Sequence, residues 1–336
     1  MKSARAVPAR SRSLAIGMRA AGAMALAAVL SSCTLFGAGG SGAGNSSTPH
    51  PDIASSAPAE LRSYYTQQVI WSACEADLEC AKIKVPLDYS KPDGGNIEIA
   101  ALRLSSKGNN SKGSLLINPG GPGGSGYDFV RDAGATHFSD KLRSNFDIVG
   151  FDPRGVNRSA PVTCLTDEER DASRAKIYDL DTDAGLAEAL ADNQVIAAKC
   201  EEKTGQVLGE VDTESSAKDL DILRAALNDK KLNYMGFSYG TFLGSTYASL
   251  FPDNVGAMVL DGAMDPSLSY EELTSGQAKA FEKALRAYVE KCFQTDGCPL
   301  SGGVDDGIQQ IRDLIAAVEA NPMRAKDGRM VSAYTL

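Results

Sequence analysis

The chain has 336 residues, of which 43% are hydrophobic and 23% are charged, and its formal net charge is −9. This length can bury a substantial core, and the ordinary apolar fraction excludes a wholly disordered or collagen-like chain. The acidic balance argues against nucleic acid as a partner, because nucleic-acid-binding proteins present a basic face. Only two histidines are present, His50 and His137, which leaves little room for a histidine-rich metal site, and we expect no bound metal.

The first 32 residues are typical of an export signal. Residues 1–19 carry five basic side chains and no acidic one, and an apolar run follows over 20–30. That run is shorter than the roughly 20 residues that a membrane-spanning helix needs, and its pattern matches a signal peptide. The segment ends in LSSC at 30–33, which resembles a bacterial lipobox, so we expect Cys33 to be the lipidated first residue of the mature protein. The alternative is ordinary signal-peptidase cleavage nearby, with Cys33 lost or idle.

Export changes the charge of the remaining protein. Removal of residues 1–32 takes away five positive charges and no negative ones, which changes the formal charge from −9 to −14. Because anionic membranes do not attract such a protein, we expect membrane contact only through the lipid on Cys33. Residues 33–60, which include His50, are rich in Gly, Ser, Ala and Pro and predict a flexible linker. We therefore expect an exported monomer, either lipid-anchored on the outer face of the cell membrane or secreted.

The six cysteines other than Cys33 indicate disulfides, since their number is even and the expected compartment is oxidising. Nearness along the chain favours two short-range pairs and leaves the other two cysteines for each other. The predicted pairs are Cys74–Cys80, Cys292–Cys298 and Cys164–Cys200. This is one of 15 possible pairings, and free buried thiols are the alternative.

Predicted strands and helices alternate along the body of the chain. Strands at 81–89 and 96–104, joined by a turn-rich segment, predict a hairpin. Further strands are expected at Ser114–Asn118, Phe146–Asp152, Leu232–Phe237 and Ala257–Asp261, and helices at 127–142, 184–204, 213–229 and Tyr239–Leu250. This alternation predicts an α/β fold with a mostly parallel sheet covered by helices on both faces.

The character of the chain changes near residue 269. Charged helical stretches are predicted at 271–291 and 304–320, and no closing strand is evident after them. We therefore expect an α/β core over 61–268 and part of a helical cap over 269–336.

A G-x-S-x-G motif, GFSYG at 236–240, lies between a predicted strand and a predicted helix. This is the context of a nucleophile elbow, in which a serine stands on a sharp turn at the end of a strand. The two glycines leave no side chains to collide with the turn, and the hydroxyl projects where a base can activate it. We predict that Ser238 is a catalytic nucleophile, the alternative being a plain turn residue.

The glycine-rich segment NPGGPGGSG at 118–126 directly follows a predicted strand. Backbone N–H groups in such a loop stabilise the negative charge that develops on an attacked carbonyl oxygen. In a hydrolase with a nucleophile elbow, one donor is the N–H of the residue after the nucleophile, here Tyr239. The other donor comes from the loop after the third strand, for which we predict Gly121.

The same loop also fits a dinucleotide-binding fingerprint. Its G-x-G-x-x-G runs from Gly121 to Gly126, and Asp147 lies 21 residues further on. Against this alternative, Pro122 removes one amide, an exported protein meets little NAD, and the Ser238 motif stays unexplained. A phosphate-binding loop is excluded because the G-K-[ST] ending is missing. We expect no cofactor.

Three long segments occur in order: 117–126, FDIVGFDPRGVNRS at 146–159, and 232–262 around GFSYG. With the segment at 71–89, they resemble the secreted tripeptidyl-aminopeptidase and proline-iminopeptidase-like branch of the α/β-hydrolases, over about residues 65–270. The resemblance implies the α/β-hydrolase fold and a serine exopeptidase that releases short peptides or single residues from free N-termini through an acyl-enzyme, without a cofactor. It also implies that the D-x-R-G motif, with Asp152, Arg154 and Ser159, braces the oxyanion loop.

One feature departs from this family. Its triad acid and base follow the serine, but no histidine follows Ser238. His137 precedes Ser238 and is expected to be a helix residue. Asp261 and Asp265 come too early in the chain to be the triad acid of this family, so structural or turn roles are expected for them. We interpret the chain as the amino-terminal part of such an enzyme, lacking the last strands, inactive or nearly so and poorly stable alone. The alternatives are an esterase or lipase of the same fold and a non-catalytic peptide-binding lipoprotein.

Overall fold

The computed structural model of the chain describes residues 52–53 and 57–333. The predicted signal peptide, the lipobox with Cys33, and His50 lie outside the described residues, so these predictions stay untested. Within the described part of the chain, no helix combines the length and apolar character that a bilayer crossing requires.

One seven-stranded sheet organises the fold, in the order β1-β2-β3-β5-β4-β6-β7. Its strands are β1 (Ser72–Glu75), β2 (Leu78–Pro86), β3 (Asn96–Leu104), β4 (Ser114–Asn118), β5 (Asp147–Phe151), β6 (Leu232–Phe237) and β7 (Val255–Asp261). Strands β5, β4, β6 and β7 pair in parallel, as the strand–helix alternation predicts. Strands β1 to β3 add an antiparallel half that continues onto β5. A separate short hairpin of β8 (Met323–Arg324) and β9 (Met330–Val331) was not expected from the sequence.

The helices connect these strands. They are α1 (Arg62–Tyr65), α2 (Gly126–His137), α3 (Asp140–Arg143), α4 (Asp167–Ala175), α5 (Asp183–Thr204), α6 (Thr213–Ala226), α7 (Tyr239–Leu250), α8 (Tyr270–Phe293) and α9 (Val304–Ala320). Short 3₁₀ turns lie at Ala59–Leu61, Gly205–Glu210 and Pro252–Asn254. The sequence did not predict α4, although Thr166 and Glu169 form a capping box at its start.

The prediction of one helix over 127–142 is wrong. Helix α2 ends at His137, Phe138 is extended with φ −96° and ψ 136°, and Ser139 caps the separate helix α3. The Phe138 side chain is buried in the core beneath the sheet. The break therefore lets an aromatic ring leave the helix direction and pack inward, which the helical periodicity alone does not indicate.

Two cores lie on opposite faces of the sheet, because successive strand residues point to opposite sides. On β3, Ile99 contributes to one core and Leu102 to the other. Helices α6 and α7 cover the first core with side chains such as Leu220 and Tyr247, while α2 covers the second with Val130. The predicted helical cover on both faces is confirmed.

Three disulfides form with the predicted pairing. They are Cys74–Cys80, Cys164–Cys200 and Cys292–Cys298. The bond between Cys164 and Cys200 ties the segment after β5 to the last turn of α5, near the edge of the sheet where β4 and β6 end.

Candidate active site

Ser238 lies at the sharp turn between β6 and α7, where its backbone has φ 52° and ψ −121°. A residue other than glycine adopts such angles only when its surroundings enforce them. Here the Ser238 N–H donates to the carbonyl of Asp261 on β7 at 2.9 Å. The Thr241 hydroxyl donates to the Ser238 carbonyl at 2.7 Å and accepts from the N–H of Met264 at 2.9 Å. The turn is thus held from both sides.

The two motif glycines are required by close packing. A Cβ at Gly236 would lie 2.4 Å from the carbonyl oxygen of Gly240 and 2.6 Å from the Tyr234 ring. A Cβ at Gly240 would lie 2.7 Å from the carbonyl oxygen of Asn118. The helix α7 can therefore start directly against the end of β4, which brings the glycine-rich loop to the nucleophile turn.

The Ser238 side chain is exposed at the tip of this turn. Among the hydrogen bonds of the described residues, those of Ser238 are formed by its backbone N–H and carbonyl, and its hydroxyl forms none. The hydroxyl is therefore accessible to a substrate, as a nucleophile elbow requires. The assignment of Ser238 as the nucleophile stays a prediction.

The glycine-rich loop after β4 meets the turn at Gly120. This residue has φ +94°, and a Cβ on it would lie 3.0 Å from Ser238 Cβ and 3.1 Å from the Tyr239 nitrogen. Its N–H donates to the buried Asn118 Oδ1 at 2.8 Å, which fixes the start of the loop. Sequence reasoning did not single out Gly120 or Asn118. Both residues end or closely follow β4, and β4 lies beside β6 in the sheet. Their role therefore becomes evident only when the strand order is known.

The backbone N–H groups of Tyr239, directly after Ser238, and of Gly121, in the glycine-rich loop, have no acceptor among the described residues. Tyr239 is the first residue of α7, so its N–H has no partner within the helix and carries the positive end of the helix dipole. Both groups are available to an oxyanion. Their roles as donors stay predictions.

The acidic residue of the D-x-R-G motif reaches the oxyanion loop. Asp152 is fully buried and accepts a hydrogen bond from the Ser125 hydroxyl, which itself accepts from the Asp128 N–H at 2.9 Å and so caps α2. Asp152 also accepts from the Arg158 guanidinium at 3.1 Å. Because Ser125 belongs to the glycine-rich loop, the expected bracing holds for Asp152.

Arg154 and Ser159 have structural roles, but their side chains bond to other segments rather than to the loop that the resemblance implies. Arg154 forms two 2.7 Å hydrogen bonds to the Asp219 carboxylate on α6. Its other N–H groups donate at 3.0 Å to the carbonyls of Pro86, Leu87 and Glu210. Ser159 Oγ accepts from the Ala100 N–H on β3 at 2.9 Å.

Arg154 is buried with all five of its N–H donors used. Burial opposes the charge of a guanidinium, but the Asp219 carboxylate outweighs burial, and the pKa of Arg154 is raised above its ordinary value. Arg154 therefore joins three separate segments of the chain as a permanently charged structural centre.

The one histidine among the described residues, His137, forms ring contacts and no hydrogen bond with Ser238. The ring of His137 packs edge-on against those of Phe129, Phe138 and Phe237, with centroids 5.2–5.9 Å apart. Asp265 accepts from the N–H and hydroxyl of Ser267 in a turn, as expected. None of these contacts involves the Ser238 hydroxyl.

The dinucleotide fingerprint does not match the geometry. Asp147 opens β5 and pairs in register with Ser114 at the start of β4. The glycine-rich loop follows the carboxyl end of β4, whereas the Asp147 carboxylate lies at the amino ends of the strands, on the opposite side of the sheet from the loop. In a dinucleotide-binding fold the acidic residue lies near the loop and holds the ribose. No cluster of metal-ligating side chains occurs within the described residues either.

A cavity of about 310 Å³ lies beside the nucleophile turn. Gly120 and Tyr239, which flank Ser238, form one side of it, and α7 contributes the buried Leu243. The arrangement thus combines an accessible hydroxyl, two free N–H donors and an adjacent cavity, which are three of the parts that acyl transfer needs.

The chain is similar in sequence to known proteins. Residues 113–303 match the family model described as the alpha/beta hydrolase fold. Serine protease Hip1 of Mycobacterium tuberculosis (strain ATCC 25618 / H37Rv) is 37% identical over 284 residues, which cover 79% of this chain and 54% of that protein. Tripeptidyl aminopeptidase of Streptomyces lividans is 36% identical over 267 residues, which cover 75% of this chain and 49% of that protein. Carboxylesterase B of the same Mycobacterium strain is 33% identical over 276 residues, which cover 79% of this chain and 53% of that protein. The chain spans about half the length of each of these relatives.

Proposed function

The chain belongs to the α/β-hydrolase fold family, and from that premise we propose that it is an exported serine peptidase with Ser238 as its nucleophile. The observation that carries the proposal is the strained and exposed Ser238 turn, which is followed by the free N–H group of Tyr239 and is met at Gly120 by the glycine-rich loop. The relatives named serine protease and tripeptidyl aminopeptidase support peptides with a free N-terminus as substrates. Lipid attachment at Cys33 belongs to the same proposal and rests on the lipobox-like LSSC.

The proposed reaction is acyl transfer. The Ser238 hydroxyl oxygen attacks the carbonyl carbon of the scissile bond and loses its proton to a base, while the carbonyl electron pair moves onto oxygen. The N–H groups of Tyr239 and Gly121 stabilise that oxyanion. Return of the electron pair breaks the carbon–nitrogen bond, the amine leaves with a proton, and the acyl ester on Ser238 is then hydrolysed by water. No described residue accepts a hydrogen bond from Ser238 Oγ, so no general base is assigned.

Labelling with a fluorophosphonate probe tests the nucleophile. We expect stoichiometric modification of Ser238 located by mass spectrometry, abolished in Ser238→Ala and unchanged in Ser249→Ala, an exposed serine on the same helix α7. Because the only described histidine packs among phenylalanine rings, labelling should be slow and peptide turnover slight. Equal labelling of the wild-type chain and Ser238→Ala would overturn the assignment. Fast labelling matched by peptide turnover would overturn the expectation of low activity.

An esterase is the second candidate function, favoured by the relative named carboxylesterase B. A peptidyl-naphthylamide and a short-chain nitrophenyl ester, assayed in parallel, separate the two. Hydrolysis of the amide that is lost in Ser238→Ala supports the peptidase. Hydrolysis of the ester alone supports the esterase, and binding without hydrolysis of either supports a peptide-binding lipoprotein.

A further inference from the structure

The cavity beside Ser238 has one wall that the nucleophile motif does not explain. Gly120 and Tyr239 bound it on the side of the nucleophile, and Val156, Val162 and Val211 bound it on the other. The three valines come from the segment after β5 and from the residues just before α6. Chain segments remote from the nucleophile motif therefore define the shape of the cavity.

The valine wall is held in place by several independent contacts. Gly155 has φ +80°, and a Cβ on it would lie 2.7 Å from Val211 Cγ1 and 3.2 Å from Val162 Cγ2, so only glycine lets the two valines approach. The Val162 N–H donates to the Gly155 carbonyl at 2.9 Å. Arg154 donates to the carbonyl of Glu210, directly before Val211. The D-x-R-G motif therefore positions this wall.

A disulfide reinforces the same wall. Cys164, two residues beyond Val162, is bonded to Cys200 at the end of α5. The Thr204 hydroxyl accepts from the Thr163 N–H at 2.9 Å and donates to the Thr163 carbonyl at 3.0 Å. The wall is thus a fixed surface rather than a loose loop.

The chemistry of the cavity selects against charge. Its one charged lining residue is Arg154, whose guanidinium is fully buried and bonded to Asp219 and three carbonyls. A charged side chain entering the cavity would lose water, and the one charged side chain that lines the cavity is already fully bonded and gives it no ion-pair partner, so its entry is costly. Aliphatic groups gain by leaving water, at roughly 25 cal/mol for each Å² of apolar surface.

We propose that this cavity binds the side chain of the residue whose carbonyl Ser238 attacks, and that the wall of Val162 and Val211 selects an aliphatic side chain there. The inference rests on the proposed peptidase function. The acyl residue is the one that stays attached to Ser238 after the first step, so the neighbouring cavity suits its side chain.

Binding of product-like tripeptides to the Ser238→Ala chain tests this cavity without requiring catalysis. The probes are Ala-Ala-Xaa with a free carboxylate, where Xaa is Gly, Ala, Leu or Glu, and the readout is Kd by titration calorimetry. We expect affinity to rise about fourfold for each added carbon, the equivalent of about 0.8 kcal/mol, and Ala-Ala-Glu to bind no better than Ala-Ala-Gly. Equal affinities across the series would overturn the proposal.

Two variants with opposite effects on volume locate the site. In the Ser238→Ala background, Val162→Phe should fill the cavity and abolish the preference for Leu, while Val195→Phe, on the exposed face of α5, should leave it intact. Val211→Ala should enlarge the cavity and admit Ala-Ala-Phe. If Val162→Phe fails to fold, an unchanged specificity in Val211→Ala overturns the proposal by itself. Absence of Ser238 labelling in the wild-type chain, with this binding pattern intact, would reject the peptidase function and keep the aliphatic site.

Discussion

The strained turn predicts that Ser238 is held in its backbone conformation at a cost to stability. A non-glycine residue at φ 52° and ψ −121° carries about 1–3 kcal/mol of backbone strain. Glycine avoids that strain, but it also increases the conformational entropy of the unfolded chain, which lowers stability by about 0.5–1 kcal/mol. The Ser238 hydroxyl is exposed and unbonded, so its loss costs little. We therefore expect Ser238→Gly to be about 1 kcal/mol more stable than Ser238→Ala, which itself should match the wild-type chain.

Urea unfolding followed by far-UV circular dichroism measures this difference as a shift in midpoint at constant slope. The matched control is Ser249, an exposed residue within α7 and outside the turn. There the glycine variant should be about 1 kcal/mol less stable than the alanine variant, as usual in a helix. If Ser238→Gly is less stable than Ser238→Ala, as at Ser249, the turn holds no strain and the reasoning is refuted.

Two further predictions concern buried charges. The Asp229 carboxylate accepts a hydrogen bond from the Ser114 N–H, and burial raises the pKa of this carboxyl group from 3.8 to about 6. Because the folded state therefore favours the protonated form, the free energy of unfolding should fall as the pH rises from about 4 through 6. Asp229→Asn should then gain up to about 3 kcal/mol over the wild-type chain at pH 7 and nothing near pH 4, and an equal offset at both pH values would contradict this. Arg154→Lys keeps the charge but loses the paired geometry on Asp219 and the bonds to three carbonyls, so chemical denaturation should detect a loss of at least about 3 kcal/mol. A loss below 1 kcal/mol would mean that Arg154 is not the structural centre described above.

Local patterns made the nucleophile turn predictable. GFSYG lies between a strand and a helix that both follow from neighbouring residues, and β6 and α7 occupy the predicted ranges. The role of Gly120 was not predictable in the same way. It depends on β4 lying beside β6 across a separation of more than 100 residues, and strand order is not a local property.

The partners of Arg154 illustrate the same limit. Its motif indicated a structural role, and the structure agrees with that role, but the bonding groups lie about 65 residues away in either direction along the chain. A buried guanidinium needs acceptors for all its donors, and the sequence does not say which segments supply them. The break at Phe138 likewise depends on a core that forms only when the sheet is assembled.

The bond between Cys164 and Cys200 makes the site sensitive to where the chain folds. Closing a loop across a separation of 36 residues removes about 4 kcal/mol of unfolded-chain entropy in the loop-closure model. The two cores consist of other residues, so a chain folded in a reducing compartment can form its sheet and nucleophile turn without this link. In that chain the valine wall would rest on its hydrogen bonds and on the packing of the two valines against Gly155. We therefore expect preparations made in the two compartments to differ in the proposed preference for an aliphatic side chain, although the cores form in both.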